Sequence, residues 1–262
     1  MEIAMDFETI ILDVADGVAT IRLNRPDVMN AMNAVMRREL MQAMNRATEG
    51  ARAIVITGNG PGFCAGQDLG DVGSFDELDL EHTLREEYEP LLKAICECPV
   101  PTICAVNGSA AGAGANLALS ADIVIAARSA RFLEAFARIG LIPDAGGTYW
   151  LPRLVGRARA LGMCLLADSI PAERAAEWGL IWEVVDDLDL DARARELAER
   201  LAKGPTTAYR LTKQALAESF SNDFETQLQL EARLQAEAGE TRDFMEGVTA
   251  FIEKRPARYE GR

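Results

Sequence analysis

The stretch from Thr102 to Leu119 limits what this chain can fold into more than any other. It opens on five residues, Thr102 to Val106 (TICAV), that read as a buried strand. Asn107-Gly108 follows, then the small-residue run Ser109 to Ala115 (SAAGAGA), then Asn116 to Leu119 in helical register. A strand, a glycine-rich turn and a helix start thus follow one another without a spacer. A helix that begins among alanines and glycines leaves its first N–H groups unpaired and open to approach.

The rest of the chain repeats that grammar. Apolar residues at Ile11, Val14, Val18, Ile21 and Leu23 flank Asp16-Gly17, which predicts a β-hairpin. Asn33 is placed to cap a helix through Met36, Leu40 and Met44, and Ala53 to Thr57 (AIVIT) predicts a strand. Gly58 to Gly62 cannot continue that strand, so a surface loop leads into Phe63 to Leu69 (FCAGQDL). Asp76 to Glu89 is acidic and reads as a solvated face, ahead of a helix through Leu91, Leu92 and Ile95 that Pro99 ends. Asp122 to Ala127 is strand again, and Ile139 to Thr148 (IGLIPDAGGT) is a turn-rich connection. Strands alternating with helices put the chain in the α/β class. From about Pro152 the pattern is nearly all helical, with one strand expected at Ile181 to Val185. The expected division is an α/β core over residues 1–200 and a helical region over 201–262.

Lys plus Arg number 27 against 41 Asp plus Glu, a formal charge of −14, which argues against a nucleic-acid partner or an anionic membrane surface. No run of eighteen apolar residues occurs, and Met1 to Thr9 carries Glu2, Asp6 and Glu8 where a secretory leader would be basic, so a cytoplasmic location is expected. Cys64, Cys96, Cys98, Cys104 and Cys164 are odd in number and read as reduced thiols. With His82 as the one histidine, no zinc site is expected.

Several chemistries fall away on motif grounds. There is no G-x-S-x-G elbow and no phosphate-binding G-x-x-x-x-G-K-[ST] loop, and the glycines of 108–114 lack dinucleotide-binding spacing. The unpaired N–H groups at the start of the 113–119 helix can instead stabilise an oxyanion, with a second N–H supplied by the loop Ala65-Gly66-Gln67-Asp68. Close helix packing is the competing explanation for the small residues.

Phe63 to Leu69, Ala105 to Gly108 with Ala111 to Ala118, and Gly140 to Thr148 resemble successive signatures of the crotonase superfamily, the enoyl-CoA hydratase/isomerase family. The resemblance runs from Asn24-Arg-Pro26 with Asn30-Ala31 to Phe251 to Arg255, nearly the whole chain. It implies a spiral of ββα turns with a helical C-terminal trimerisation region, assembled as a trimer or hexamer. It also implies an acyl-CoA thioester substrate and no separate cofactor, coenzyme A being part of the substrate. The two oxyanion donors carry over to the backbone N–H groups of Gln67 and Ala113, with Gly112 beside them.

The hydratases of the family use two glutamates, whose positions align here with Asn116 and Phe136; neither ionises, although Glu134 lies two residues from the second. Asp144 stands where the hydratases carry glycine, and one carboxylate suffices for a 1,3-proton shift. Phe136 and Leu141 are expected to desolvate it and raise its basicity. A local turn hydrogen bond is its structural alternative. Asp122 to Ala130, Ile139 to Gly162 and Ala176 to Asp187 resemble the ring 1,2-epoxyphenylacetyl-CoA isomerases of phenylacetate degradation, which carry that aspartate. The resemblance further implies that Arg25 and Lys254 meet the nucleotide portion of coenzyme A, while Val28 to Ala31 and Ala65, Asp68 and Leu69 form walls around the adenine. Isomerisation comes first, with an enoyl or a ring-epoxide substrate that the sequence does not separate; hydration and then noncatalytic acyl-CoA binding stay open behind it. Val72 to Tyr88 is expected to border the acyl pocket.

Overall fold

The computed structural model describes residues 7–71 and 79–262. Residues 1–6 and 72–78 lie outside it, and with them the start of the chain, the first three residues of the acidic run and part of the expected pocket border. The hairpin is β1 (Ile10–Ala15) against β2 (Val18–Leu23), joined through Asp16 at φ 54° and Gly17 at φ 77°, the left-handed pair that a two-residue turn requires.

After β2 the chain winds as a spiral. Each turn leaves one strand in a large sheet and one in a small sheet. β3 (Ala53–Gly58), β5 (Thr102–Val106), β7 (Ile123–Ala127) and β10 (Glu183–Val185) extend the first in the order β1-β2-β3-β5-β7-β10, parallel beyond the hairpin. β4 (Gly62–Cys64), β6 (Ser109–Ala111), β8 (Arg131–Leu133) and β9 (Ile170–Pro171) form the second in the order β4-β6-β8-β9. Every residue of β3 and β5 is buried, as unalternating apolar strands covered on both faces must be. Ser109 to Ala111, read from the sequence as turn, is strand β6: three residues are too few to display an alternation.

The helix α1 (Ala34–Gly50) starts where Asn33 Oδ1 accepts from Met36 N at 2.9 Å, and buries Met36, Leu40, Ala43, Met44 and Ala47 against the sheet. The expected helix before Pro99 is α3 (Glu89–Cys96), preceded by α2 (Leu80–Thr83) and a π-helical turn over Leu84–Tyr88. α4 (Ala113–Leu119) is buried along its whole length. α5 (Gly147–Leu166) bends at Gly156, and α6 (Ala172–Glu177) and α7 (Leu190–Ala202) complete the covering of the sheets.

α8 (Thr206–Glu218), α9 (Phe224–Gly239) and α10 (Arg242–Glu253) follow, with a small core of their own at Leu211, Leu230 and Leu234. Lys213 Nζ ties them to the sheets through Asp122 Oδ2 at 2.7 Å and the Cys98 carbonyl at 2.7 Å. All five cysteines are free thiols. No helix among the described residues is long and apolar enough to cross a membrane.

Candidate active site

Two loops at the ends of neighbouring small-sheet strands build the first half of the site. Beyond β4, Met32 N donates to Gly66 O at 2.7 Å and Asp68 N donates to Met32 O at 3.1 Å. That parallel bridge uses the peptides on either side of Gln67 and leaves its own N–H without a protein acceptor among the described residues. Beyond β6, Gly112 adopts φ 52° and ψ −128° and α4 begins at Ala113, whose N–H heads the helix with no intrahelical partner. The loops touch: a Cβ on Gly66, itself at φ 93°, would stand 2.8 Å from Ala111 O and 3.4 Å from Ala113 N. Two unpaired N–H groups therefore sit on adjoining loops, the arrangement that stabilises a developing oxyanion. The packing explanation of the small residues also holds, because a Cβ on Gly114 would lie 2.4 Å from Cys64 O.

The second half comes from α4 and the loop before α5. Asn116, wholly buried, donates from Nδ2 to the Asp144 carbonyl at 2.9 Å and to Glu134 Oε2 at 3.3 Å. Gly147 N donates to the same carbonyl at 2.8 Å. A Cβ on Gly147 would meet Asn116 Nδ2 at 2.5 Å, so glycine there admits the amide. Oδ1 of Asp144 is buried and accepts no hydrogen bond, and burial pushes the carboxyl up to about 6. Glu134 is 1% exposed; burial, aided by the nearby Asp144 charge and opposed by the Asn116 hydrogen bond, pushes its carboxyl up to about 7. Phe136 is buried with its ring 3.6 Å from where a Gly112 Cβ would be. Gln67, Ala113, Gly112, Asn116, Phe136 and Asp144 are thus drawn together from three turns of the spiral.

Behind the oxyanion loop lies a cluster the sequence reading did not single out. Gln67 Oε1 accepts from Tyr88 Oη at 2.6 Å and from Arg37 Nη1 at 2.9 Å. Arg37 is 4% exposed, also donates to Met32 O at 2.9 Å and to Glu87 Oε2 at 2.7 Å, and lies 5.1 Å above the Tyr88 ring. Burial pushes the Tyr88 hydroxyl upward, so it stays a donor. The available signal was spacing: Arg37 stands three residues before Leu40 and seven before Met44, on the apolar stripe of α1.

The expected coenzyme-binding residues divide. Arg25 donates from Nη1 to the Ala31 carbonyl at 2.6 Å and to Asp68 Oδ2 at 2.7 Å, stapling the 25–31 turn to the 65–69 loop rather than standing as a free charge. Val28, Ala65 and Leu69 are exposed beside that staple, and Ala31 is buried. Lys254 stands apart as the left-handed residue ending α10, exposed, with no ion pair to these groups among the described residues. His82 is exposed on α2, and no group of His, Cys, Asp and Glu among the described residues is arranged to hold a metal.

The family model described as enoyl-CoA hydratase/isomerase matches residues 13–262. A Rhodobacter capsulatus protein named "Probable enoyl-CoA hydratase" is 58% identical over 98% of this chain and 100% of its own length. The 1,2-epoxyphenylacetyl-CoA isomerase of Escherichia coli strain K12 is 47% identical over 97% of this chain and 99% of its own. Among solved structures, an enoyl-CoA hydratase from Bacillus anthracis superposes with a TM-score of 0.90 at 34% identity, covering 97% of this chain and 100% of that one.

Proposed function

The chain belongs to the enoyl-CoA hydratase/isomerase family, and from that premise we propose that it is a CoA-thioester isomerase with Asp144 as its acid/base. The observation that carries this reading is Asp144 Oδ1, a buried carboxylate oxygen without a donor, on the loop that Asn116 holds to the same helix whose first N–H is free. An oxygen that already accepted a hydrogen bond would be a poorer base toward carbon.

In the proposed step Asp144 takes a proton from a carbon of the acyl chain, and the C–H electron pair moves into the thioester to give an enolate. The Gln67 and Ala113 N–H groups bear the oxygen's charge, each donor of this kind lowering the barrier by about 3 kcal/mol. The protonated Asp144 then returns the same proton to a carbon two bonds away, so no external acid or base is consumed. Burial suits the residue to this work, because a carboxyl raised to about 6 is a stronger base than an exposed one and is still ionised at neutral pH. The name of the Escherichia coli relative supports a ring-epoxide acyl group as one substrate, rearranged from the same enolate. Exposed Val28, Ala65 and Leu69 offer the apolar wall an adenine needs, and Lys254 a charge for a phosphate.

Hydration is the second reading, favoured by the name of the 58%-identical relative and by the buried carboxyl of Glu134. A paired assay separates the two. A 3-enoyl-CoA should be converted to the conjugated thioester by the native protein, and Asp144→Asn should lower that rate by at least a thousandfold. Hydration of a trans-2-enoyl-CoA that survives Asp144→Asn would overturn the isomerase reading. We further propose that copies of this chain cover the apolar faces of α9 and α10, where Phe224, Met245, Phe251 and Ile252 are exposed.

A further inference from the structure

Asn116 sits between two carboxyl-bearing residues, and its hydrogen bonds do not close. Its amide cannot be turned over, because the Asp144 carbonyl lies 2.9 Å from Nδ2 and an amide oxygen put in that place would face it oxygen to oxygen. The second Nδ2 hydrogen goes to Glu134 Oε2. Asn116 Oδ1 is then left buried with no donor, in a residue that is 0% exposed. Buried acceptors in that condition are rare and costly, and each calls for an explanation. Glu134 has the complementary difficulty. It is 1% exposed, and no lysine or arginine pairs with it among the described residues. The groups that face it are Asn116 from α4, Asp144 from the loop before α5, and the Cys164 thiol from α5. None of these neutralises a negative charge.

We propose that Glu134 is a positioning residue of this site, a neutral carboxylic acid that donates its proton to Asn116 Oδ1 and through that amide fixes the main chain of Asp144. One proton answers both difficulties. The acid O–H meets the amide oxygen and the amide N–H meets the acid carbonyl, so the two planar groups pair as donor and acceptor each way. The remaining Nδ2 hydrogen is held on the Asp144 carbonyl, which orients the loop and leaves Oδ1 of the Asp144 carboxylate without a donor. The inference rests on the reading of Asp144 as the base.

The order of ionisation agrees with this division. Burial raises both carboxyls, and Glu134, which is 1% exposed, is raised further by the Asp144 charge, which favours keeping the proton on Glu134. At higher pH Glu134 ionises, the amide oxygen loses its donor, and a second charge appears beside the base. The rate should therefore rise as Asp144 ionises and fall again as Glu134 does.

The test compares native protein with Glu134→Gln, Glu134→Ala and Asp144→Asn. At pH 6 the infrared difference between native protein and Glu134→Gln should contain the carbonyl stretch of a protonated carboxyl, and the same band should persist in Asp144→Asn. For the 3-enoyl-CoA reaction, Glu134→Ala should lower kcat at least tenfold with KM within twofold. Glu134→Gln, which keeps a donor and an acceptor, should recover most of that loss and abolish the alkaline fall of kcat. A carboxylate band for Glu134 at pH 6 would overturn the proposal even if Glu134→Ala failed to fold. An alkaline limb kept in Glu134→Gln would overturn it as well. Activity surviving in Asp144→Asn would instead remove the base assignment and leave the infrared result standing.

Discussion

Asn30 shows how much one buried side chain holds. It takes a left-handed φ of 55° and accepts from Arg25 N at 2.8 Å, while Nδ2 lies 2.9 to 3.0 Å from the carbonyls of Asn59, Gly62 and Phe63. Those carbonyls belong to β4 and the loop before it, which lead into the loop of Gln67, the proposed oxyanion donor. Asn30→Ala takes a donor from all three, of which Gly62 O keeps Asn107 Nδ2 at 3.3 Å, and each buried acceptor left unpaired costs about 1–3 kcal/mol. A urea titration should find the variant less stable by about 3 kcal/mol. Arg37 acts on the same loop from behind. Arg37→Met keeps the apolar stem but removes the donor to Gln67 Oε1, so kcat should fall about tenfold to a hundredfold with a smaller change in KM, as expected when a donor is displaced rather than lost. Asp144 was singled out because the resemblance puts glycine in its place, and Gln67 and Ala113 because the resemblance carries two donors onto loops whose small residues already leave N–H groups open. Arg37 was not, and Tyr88 and Glu134 were named only as the end of the expected pocket border and as a neighbour of Phe136, since their contacts run across 18 to 30 residues of chain that no local pattern displays.

At the scale of elements, the large sheet was readable and the small one was not. β3, β5 and β7 are runs of five or six residues whose one turn former is Gly58, which closes β3 although the sequence put it in the loop, whereas β4, β6 and β8 have three residues each and the first two lie among glycines. Nothing in three residues distinguishes a strand from a loop; the pairing partner decides. The glycines of these segments are not equivalent either. Gly114→Ala would drive a Cβ into the Cys64 carbonyl and part α4 from β4, so it should cost both stability and activity. Gly162, in α5, has open space where a Cβ would go and no left-handed φ. Gly162→Ala should therefore raise stability by about 1 kcal/mol, the helix-propensity difference, with turnover unchanged. Thermal unfolding and the isomerase assay on the two variants check both statements.

For the whole molecule, a buried carboxyl makes stability fall with pH. The Glu134 carboxyl is raised from 4.5 in the unfolded chain to about 7 in the fold, so the native state holds the extra proton between those values. Its contribution is complete below pH 4.5 and is lost as pH rises through 7, a change of about 3 kcal/mol in total. Glu134→Gln should accordingly gain on the native protein by about that amount between pH 4 and pH 8 in urea midpoints. The C-terminal helices make a different prediction. Phe251 on α10 is 86% exposed, and if copies of the chain cover it, Phe251→Glu should shift the sedimentation of the native assembly toward the monomer. Because the chain climbs through both sheets turn by turn, Gln67, Ala113 and Asp144 come from successive storeys and are brought together like landings on one stair. The distance walked along the corridor of each storey does not change where its landing stands. Corridors can lengthen, shorten or be refurnished to admit a different acyl group, and the three landings remain in line.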